Sequence, residues 1–395
     1  MPGALEGVRV LDLTRVLAGP YCTMILGDLG AEIIKVEGPG GSDDTRYWGP
    51  PYKETESAYY LCANRNKRAI TLNLKTEQGR EVLKKLLIES DVVIENFKSG
   101  TMEKWGLSYP EIKELNSRII HCSITGFGHN GPYAHLAGYD FIIQAMSGLM
   151  SITGSEQSGP VKVGVAISDL FTGLYANIGI LAALNERNLS GEGQSIDISL
   201  FDSQLSALAN VASNYLISGK IPGLLGNNHP NIVPYQPFET KDGKMVVAVG
   251  NDGQFGKLCS VLGIEEIGVD ERFATNSMRL ENRHEITEIL ARQFQLRTSK
   301  EWLVLLNESG IPAGPIQNMK EVFEDPQVAA RNMVYEVNHP TIGEIKLVGS
   351  PLKLSRTPVE VRHHPPVAGE HSKEVLLELG YSIETIDEMK ELNII

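Results

Sequence analysis

Apolar and polar residues alternate along the first part of the chain in a pattern that predicts strands and helices in turn. A β-branched apolar run at 8–14 precedes a stretch in which Pro20 can open a helix and Gly30 can close it, and a strand at 32–36 follows. The same alternation continues with strands at 68–74, 91–95 and 118–125 and with helices at 77–90 and 109–116. Strands separated by helices predict a doubly wound, Rossmann-like α/β domain with a parallel sheet.

The periodicity stops between residues 219 and 237, where four prolines and three glycines stand in a polar stretch. This composition predicts a linker. Beyond it, a hairpin turning at Asp242 and Gly243 and several helical patterns predict a smaller α+β domain. The chain is therefore interpreted as four parts: 1–218, the N-terminal part of a large α/β domain; 219–237, a linker; 238–315, the small domain; and 316–395, a return linker with the C-terminal part of the large domain.

One carboxylate stands at the start of a long apolar helical pattern. Alternating apolar residues at 163–167 predict a short strand or extended segment, which ends at Ser168 and Asp169. Aspartate is a common N-cap and stabilises a helix by about 1 kcal/mol. The local pattern favours the interpretation that Asp169 is only a cap, and the alternative is that it is a reactive group.

Composition excludes several classes of function. The net charge of −13 over 395 residues counts against a nucleic-acid partner and against binding to an acidic membrane surface. Hydrophobic residues at 42% are typical of a globular protein. The four cysteines are scattered, and the N-terminus lacks the pattern of a signal peptide, so we expect a cytoplasmic protein with reduced thiols.

In a doubly wound fold, ligands bind beyond the carboxyl ends of the strands. The loops after Leu13, Val36, Glu95 and Thr125 are therefore the expected site, and the last three are rich in glycine, polar and aromatic residues. The cations in and near these loops suggest a phosphate-bearing ligand, and they are Arg46, Lys67, Arg68, Lys98 and Lys104.

Two known nucleotide-binding fingerprints are missing from the chain, and no metal site is supported. The chain contains neither GxGxxG after the first strand nor GxxxxGK[ST], which counts against a nicotinamide dehydrogenase and a P-loop enzyme. His363 and His364 are adjacent without a third ligand placed by the sequence, so no metal site is predicted.

Several ordered stretches together resemble the class III coenzyme A transferases, the family of formyl-CoA transferase and carnitine-CoA transferase. The resemblance covers essentially the whole chain and lies in these segments: 11–37, 64–76, 90–100, 126–132 (GFGHNGP), 138–140 (GYD), 163–176 (VGVAISDLFTGLYA) and 369–380. It implies a coenzyme A transferase whose two subunits form an interlocked homodimer. It also implies acyl-CoA and a free carboxylic acid as substrates, with no permanently bound cofactor.

The resemblance also implies site residues. Asp169 matches the family's nucleophile, which attacks the thioester to form a mixed anhydride and then an aspartyl-CoA thioester. Val16, Leu17 and Ala18 match the loop bordering the thioester, and Tyr139 with Asp140 matches a pair beside the active site. The positions matching those around coenzyme A are Leu72, Asn96, Phe97 and Lys104.

Departures from the family pattern narrow the function. Formyl-CoA transferase-like members have Gln at Leu17, Arg at Gly38 and a glycine-run loop that this chain lacks, so formyl-CoA and oxalate are disfavoured. The whole-chain likeness is greatest to members that move coenzyme A between dicarboxylic acids such as succinate and glutarate. Racemase-like members carry a catalytic His where this chain has Tyr139, so racemisation is the alternative, followed by a non-catalytic CoA-binding protein.

Three features of the expected chemistry remain open in the sequence. A second substrate carboxylate requires a cation, and Arg15, Arg46 and Arg65 are all candidates. The segment Gly223–Pro230 is placed where a loop that excludes water could hinge. The helix dipole is expected to favour the ionised form of Asp169 by roughly 0.3–1 kcal/mol.

Overall fold

The computed structural model describes residues 3–395, and its strands are mostly short. Their bounds are β1 (Arg9–Asp12), β2 (Glu32–Glu37), β3 (Tyr52–Lys53), β4 (Glu56–Ser57), β5 (Arg68–Thr71), β6 (Val92–Glu95), β7 (Ile120–Thr125), β8 (Gly154–Ser155), β9 (Gly159–Pro160), β10 (Ser195–Ser199), β11 (Tyr235–Glu239), β12 (Lys244–Ala248), β13 (Ala313–Pro315), β14 (Val334–His339) and β15 (Gly343–Val348).

The helices vary from single turns to one element of 24 residues. Their bounds are α1 (Ala18–Asp28), α2 (Ala58–Leu61), α3 (Glu77–Ile88), α4 (Thr101–Lys104), α5 (Tyr109–Leu115), α6 (Asp140–Met146), α7 (Leu149–Ile152), α8 (Ile167–Ser190), α9 (Leu200–Ala207), α10 (Ala209–Ser218), α11 (Asp252–Leu262), α12 (Glu265–Gly268), α13 (Asn276–Glu281), α14 (Arg283–Phe294), α15 (Ser299–Glu308), α16 (Met319–Glu324), α17 (Pro326–Ala330), α18 (Ser372–Glu378) and α19 (Ile383–Glu391).

The chain divides into two compact units. The first comprises residues up to Leu149, Val163–Ala209 and Gln327–Ile395, and the second comprises Met150–Lys162 and Asn210–Pro326. The second unit carries an antiparallel sheet in the order β11-β12-β13 and helices α11–α15, which bury Phe255, Phe294 and Trp302. Its predicted hairpin is confirmed, because β11 pairs with β12 around Lys241–Gly243.

A six-stranded parallel sheet in the order β10-β7-β6-β1-β2-β5 forms the centre of the first unit. The chain first adds β2 and β5 on one side of β1 and then adds β6, β7 and β10 on the other side. Strand order therefore reverses between β1 and β6. In parallel sheets of this kind a crevice opens at the reversal, outside the carboxyl ends of the two strands.

The central sheet is buried on both faces. Neighbouring residues of a strand point to opposite faces, so Val10 and Leu11 of β1 belong to two different apolar clusters, as do Ile33 and Ile34 of β2. One cluster includes residues of α3, α5, α18 and α19, and the other includes residues of α1 and α8. Helices on both faces confirm the predicted α/β class and explain the continuous apolar runs of these strands.

Helix α8 is long and packs closely on α1. It is 24 residues long, and one 18-residue window has a mean hydropathy of 1.5, so by length and composition it could span a membrane. Core helices pass the same test, and half of that window is buried inside the protein. A Cβ built on Gly173 of α8 would lie 2.6 Å from the carbonyl oxygen of Ala18 in α1, so this contact requires glycine.

Two predicted elements differ from the structure. The single helix expected over 201–219 is instead α9 and α10, which are separated at Leu208, because Ala209 has a φ of 44° that a continuing helix does not allow. Of the two alternatives for 163–167, a short strand or an extended segment, the strand does not form, and α8 begins at Ile167, before Ser168 and Asp169 rather than after them.

Candidate active site

A cavity of about 360 Å³ opens at the carboxyl edge of the sheet, where strand order reverses. It is lined by the segments that follow β1, β6 and β7, together with the first turn of α8 and the start of α9. The lining residues are Arg15, Val16, Leu17, Ala18, Asn96, Phe97, Lys98, Ser99, Ile124, Thr125, Gly126, Ala134, His135, Leu136, Ala137, Gly138, Tyr139, Asp169 and Leu200. Three of the four loops expected at this edge therefore contribute to it, and the loop after Val36 does not.

Asp169 lines the cavity but is not the cap of its helix. It is the third residue of α8, whose N-cap is Ala166. The Oδ1 atom of Asp140 accepts a hydrogen bond from the N–H of Ser168 at 2.8 Å. Asp140, 28 residues before Ser168, therefore accepts a hydrogen bond from an N–H group at the start of α8. The interpretation of Asp169 as the N-cap is wrong.

The carboxyl group of Asp169 is set in an environment that opposes ionisation. Asp169 is 9% exposed. Burial, together with the nearby negative charge of Asp140, raises the pKa of Asp169 from 3.8 to about 7. A shift of this size corresponds to about 4 kcal/mol. The helix dipole supplies only roughly 0.3–1 kcal/mol in the other direction. The helix dipole is therefore too weak to keep Asp169 ionised against the effects of burial and of Asp140.

Asp140 is held by a small hydrogen-bond network. Its Oδ2 atom accepts from Nε2 of Gln144 at 2.7 Å, and Oε1 of Gln144 accepts from the N–H of Val163 at 2.9 Å. Asp140 does not line the cavity, whereas Tyr139 does and is 59% exposed. Asp140 therefore affects the site in two ways: it holds the start of α8 through Ser168, and its negative charge raises the pKa of Asp169.

The loop between β1 and α1 is fixed from two directions. Val16 has a φ of 73°, a left-handed conformation that is strained for a β-branched residue. Its N–H donates to Oδ1 of Asp43 at 3.1 Å, and Asp43 in turn accepts from Nζ of Lys35 at 2.9 Å inside the protein. The backbone of Arg15 is held by the side-chain amide of Asn96, which donates to its carbonyl oxygen at 2.7 Å and accepts from its N–H at 3.0 Å.

Most of the expected phosphate-binding cations form ion pairs with carboxylates of the protein itself. Arg46 is bonded to Glu37, and Lys67 is bonded to Asp12, with all four side chains buried. Arg68 forms ion pairs with three glutamates, at positions 32, 374 and 378. Of the five cations, only Lys98 lines the cavity. The prediction was wrong for Arg46, Lys67 and Arg68, because each of these side chains is paired with carboxylates of the fold and none lines the cavity.

Comparison with known proteins decides the family. A model of CoA-transferase family III matches residues 5–372. The chain belongs to CoA-transferase family III. It is 46% identical over 392 residues to succinyl-CoA:glutarate CoA-transferase of Homo sapiens, covering 99% of this chain and 90% of that protein. It is 47% identical over 389 residues to succinate–glutarate CoA-transferase of Agrobacterium fabrum, covering 97% and 96%.

A solved structure agrees with this assignment. A CaiB/BaiF family protein from Brucella suis is 47% identical, with a TM-score of 0.84 over 96% of this chain and 100% of that one. The predicted family is thus confirmed, and the protein is an enzyme that transfers coenzyme A between an acyl-CoA and a carboxylic acid.

Of the four residues expected around coenzyme A in this family III enzyme, two line the cavity and two do not. Asn96 and Phe97 line the cavity, and Phe97 packs edge-on against Trp105 at 5.1 Å between ring centroids. Leu72 is buried in the core of the first unit, and Lys104 ends α4, so neither lines the cavity. Over residues 3–395, no cluster of three or more His, Cys, Asp or Glu side chains could hold a metal ion.

The segment Ala134–Gly138 belongs to the loop expected after Thr125, and it lines the cavity. Gly126 and Gly138 lie close together in this loop, since a Cβ on Gly126 would lie 2.6 Å from Cα of Gly138. One residue near the site, Tyr59, was not identified from the sequence. Tyr59 lies near the nucleophile candidate, since burial and then the charge of Asp169 raise its pKa to about 12. No local pattern marks Tyr59.

Proposed function

We propose that this enzyme moves coenzyme A between dicarboxylic acids of the succinate and glutarate class, with Asp169 as nucleophile. The observation that carries the mechanism is a buried carboxylate lining a cavity at the reversal of strand order. The names of the relatives, which cover nearly the whole chain at 46–47% identity, support the choice of acids. Strand order 3-2-1-4-5-6, counted within the sheet, supports a doubly wound, Rossmann-like large domain.

Each step of the reaction is an attack on one carbonyl carbon, which replaces the group bonded to that carbon. A carboxylate oxygen of Asp169 attacks the thioester carbonyl, the C–S bond breaks, and a mixed anhydride and coenzyme A thiolate result. The thiolate attacks the aspartyl carbonyl of the anhydride, which releases the first acid and leaves an aspartyl-CoA thioester. The incoming carboxylate attacks the carbonyl of this thioester, the C–S bond breaks, and a second anhydride and the coenzyme A thiolate result. The thiolate then attacks the substrate carbonyl, which releases the new acyl-CoA and regenerates Asp169.

The raised pKa of Asp169 suits this role. A carboxylate that is poorly solvated is a stronger nucleophile than one in water, since less hydration is lost on attack. With a pKa of about 7, ionised Asp169 is available in the free enzyme near neutral pH. An acyl group on Asp169 has no charge, so the anhydride and the thioester are favoured by the same burial that disfavours the carboxylate.

Each attack develops an oxyanion, and α1 begins at the cavity. Its first residue is Ala18, and the first N–H groups of a helix have no acceptor within the helix. The N–H groups of Ala18 and Gly19 are therefore proposed as oxyanion donors. The bonds from Asp43 and Asn96 hold this helix start in place before substrate binds.

Exchange of label tests the nucleophile. Wild-type enzyme is incubated with succinyl-CoA and ¹³C-labelled glutarate, and the acyl-CoA products are resolved by mass spectrometry. Asp169→Ala should form no glutaryl-CoA, whereas Asp202→Asn, which removes an exposed carboxylate from the first turn of α9, should retain exchange. Exchange by Asp169→Ala would refute the assignment. Solvent deuterium entering a 2-methylacyl-CoA would instead indicate racemisation.

The assembly is proposed to be a homodimer in the cytoplasm, with interlocked subunits as in the family resemblance. Exposed apolar side chains on the first unit, Leu174 and Ile178 of α8 and Leu205 of α9, support burial against a partner. Light scattering coupled to size-exclusion chromatography should give twice the mass of 43.3 kDa. A mass of one chain at micromolar concentration would exclude the dimer.

A further inference from the structure

The dicarboxylic acids of the proposed function carry a second carboxylate, which requires a cationic partner in the enzyme. Of the three candidate arginines, the structure removes two. Arg46 is buried and bonded to Glu37 through both Nε and Nη2. Arg65 is buried and bonded to Asp28 through Nε and Nη2. Removing either guanidinium from its carboxylate would leave an unpaired buried charge. Neither lines the cavity, so neither is available to a substrate there.

Arg15 differs from both in position and in partner. It lines the same cavity as Asp169, and its side chain is 48% exposed. Its ion-pair partner is Asp44, at 3.3 Å between Nη1 and Oδ2, and the Asp44 side chain is 47% exposed. Exposed ion pairs of this kind contribute little to stability, so a second carboxylate can replace Asp44 at small cost.

The surroundings of Arg15 suit the second carboxylate of a dicarboxylic acid. The amide of Asn96 fixes its backbone, so only the side chain must be ordered on binding. Leu17, which follows two residues later, lines the cavity and offers an apolar surface to a methylene chain. A planar guanidinium matches a carboxylate with two parallel hydrogen bonds, which the point charge of Lys98 cannot do.

We propose that Arg15 binds the distal carboxylate of a dicarboxylic substrate while the reacting carboxyl group faces Asp169. This inference rests on the proposed function and adds to it the residue that selects the substrate. Asp44 holds the guanidinium when no substrate is present and is displaced by the substrate carboxylate. A monocarboxylic acid of the same length lacks this interaction and gains nothing from Arg15.

A competition experiment isolates the selection step. Enzyme is given succinyl-CoA and an equimolar mixture of glutarate and pentanoate, and the ratio of glutaryl-CoA to pentanoyl-CoA is measured by mass spectrometry. Both products come from the same aspartyl-CoA thioester, so the ratio does not depend on how fast the donor reacts or on the fraction of folded enzyme. The matched variants are Arg15→Met and Arg15→Lys.

Arg15→Met should lower the product ratio by a factor of about 10–100, the range of one charge-assisted interaction, and Arg15→Lys should fall between it and wild type. An unchanged ratio in Arg15→Met would overturn the proposal. Asp44→Asn, which frees the guanidinium, should raise the ratio, and a lowered ratio would also count against it. If wild type forms neither product, the proposed function fails, whereas a normal wild type with an unchanged variant ratio refutes Arg15 alone.

Discussion

Replacing the nucleophile candidate by its amide should stabilise the protein, and by more at high pH than at low pH. Burial and Asp140 raise the pKa of Asp169 to about 7, against 3.8 for an exposed aspartate. Between these two values the folded protein holds a proton that the unfolded chain releases. Stability therefore falls as pH rises from 3.8 to 7, and the full loss is present above pH 7. Asp169→Asn removes this loss, since an amide does not ionise.

The size of the effect follows from the pKa difference. At pH 8 the folded carboxyl group is ionised at a cost of about 4 kcal/mol relative to a group that stays neutral. At pH 5 the cost is about 2 kcal/mol, because the folded group is protonated while the unfolded group is ionised. The gain from Asp169→Asn should accordingly be larger at pH 8 by about 2–3 kcal/mol.

Denaturant unfolding of wild type and Asp169→Asn at pH 5 and pH 8, at one protein concentration, measures this difference. Asp202→Asn is the control, because it removes an exposed carboxylate from the first turn of α9. The control should show no comparable gain at either pH. An equal gain at both pH values, or a loss at pH 8, would refute the reasoning that Asp169 is held in its neutral form by the fold.

Three further outcomes follow from the same geometry. The kcat/KM of wild type should rise with pH through about 7, since the proposed nucleophile, Asp169, attacks in its ionised form; a flat profile between pH 5 and 8 would contradict this. Asp140→Asn should move that rise to lower pH, since the charge of Asp140 raises the pKa of Asp169, whereas Gln144→Met, which keeps the charge, should leave it in place. Gly173→Ala should destabilise the protein by about 1–3 kcal/mol because its Cβ would meet the start of α1, whereas Gly256→Ala, with open space around it, should not.

The sequence predicted the sheet well because its signals are local. The apolar run around Val10 and the run around Ile33 each reflect a strand that is buried on both faces. The loops after β1, β6 and β7 could be singled out because their place at the strand ends follows from chain order alone. The strand order itself, and hence the position of the cavity between β1 and β6, follows from pairings that local pattern does not contain.

The electrostatics of the site could not be predicted in the same way. The carboxylate that accepts a hydrogen bond at the start of α8 is Asp140, which is distant in sequence, whereas the local pattern favours Asp169 as the cap because it is the nearest carboxylate along the chain. The sequence places Arg46 and Lys67 in or near loops where a phosphate-bearing ligand is expected, yet in the folded chain each is buried beside a carboxylate. The sign of the shift at Asp169 depends on burial, which a sequence does not specify residue by residue.

The internal use of cations has a consequence for how substrate reaches the enzyme. Arg46, Lys67 and Arg68 are paired with carboxylates, so their charges are not offered to an anionic acyl-CoA, and the protein as a whole has a net charge of −13. The Debye length shrinks from about 30 Å at 0.01 M ionic strength to about 8 Å at 0.15 M. Salt therefore screens repulsion here, and association with acyl-CoA should be faster at physiological ionic strength than in dilute buffer. Diffusional encounter thus has the opposite salt dependence to that of an enzyme that steers its substrate electrostatically.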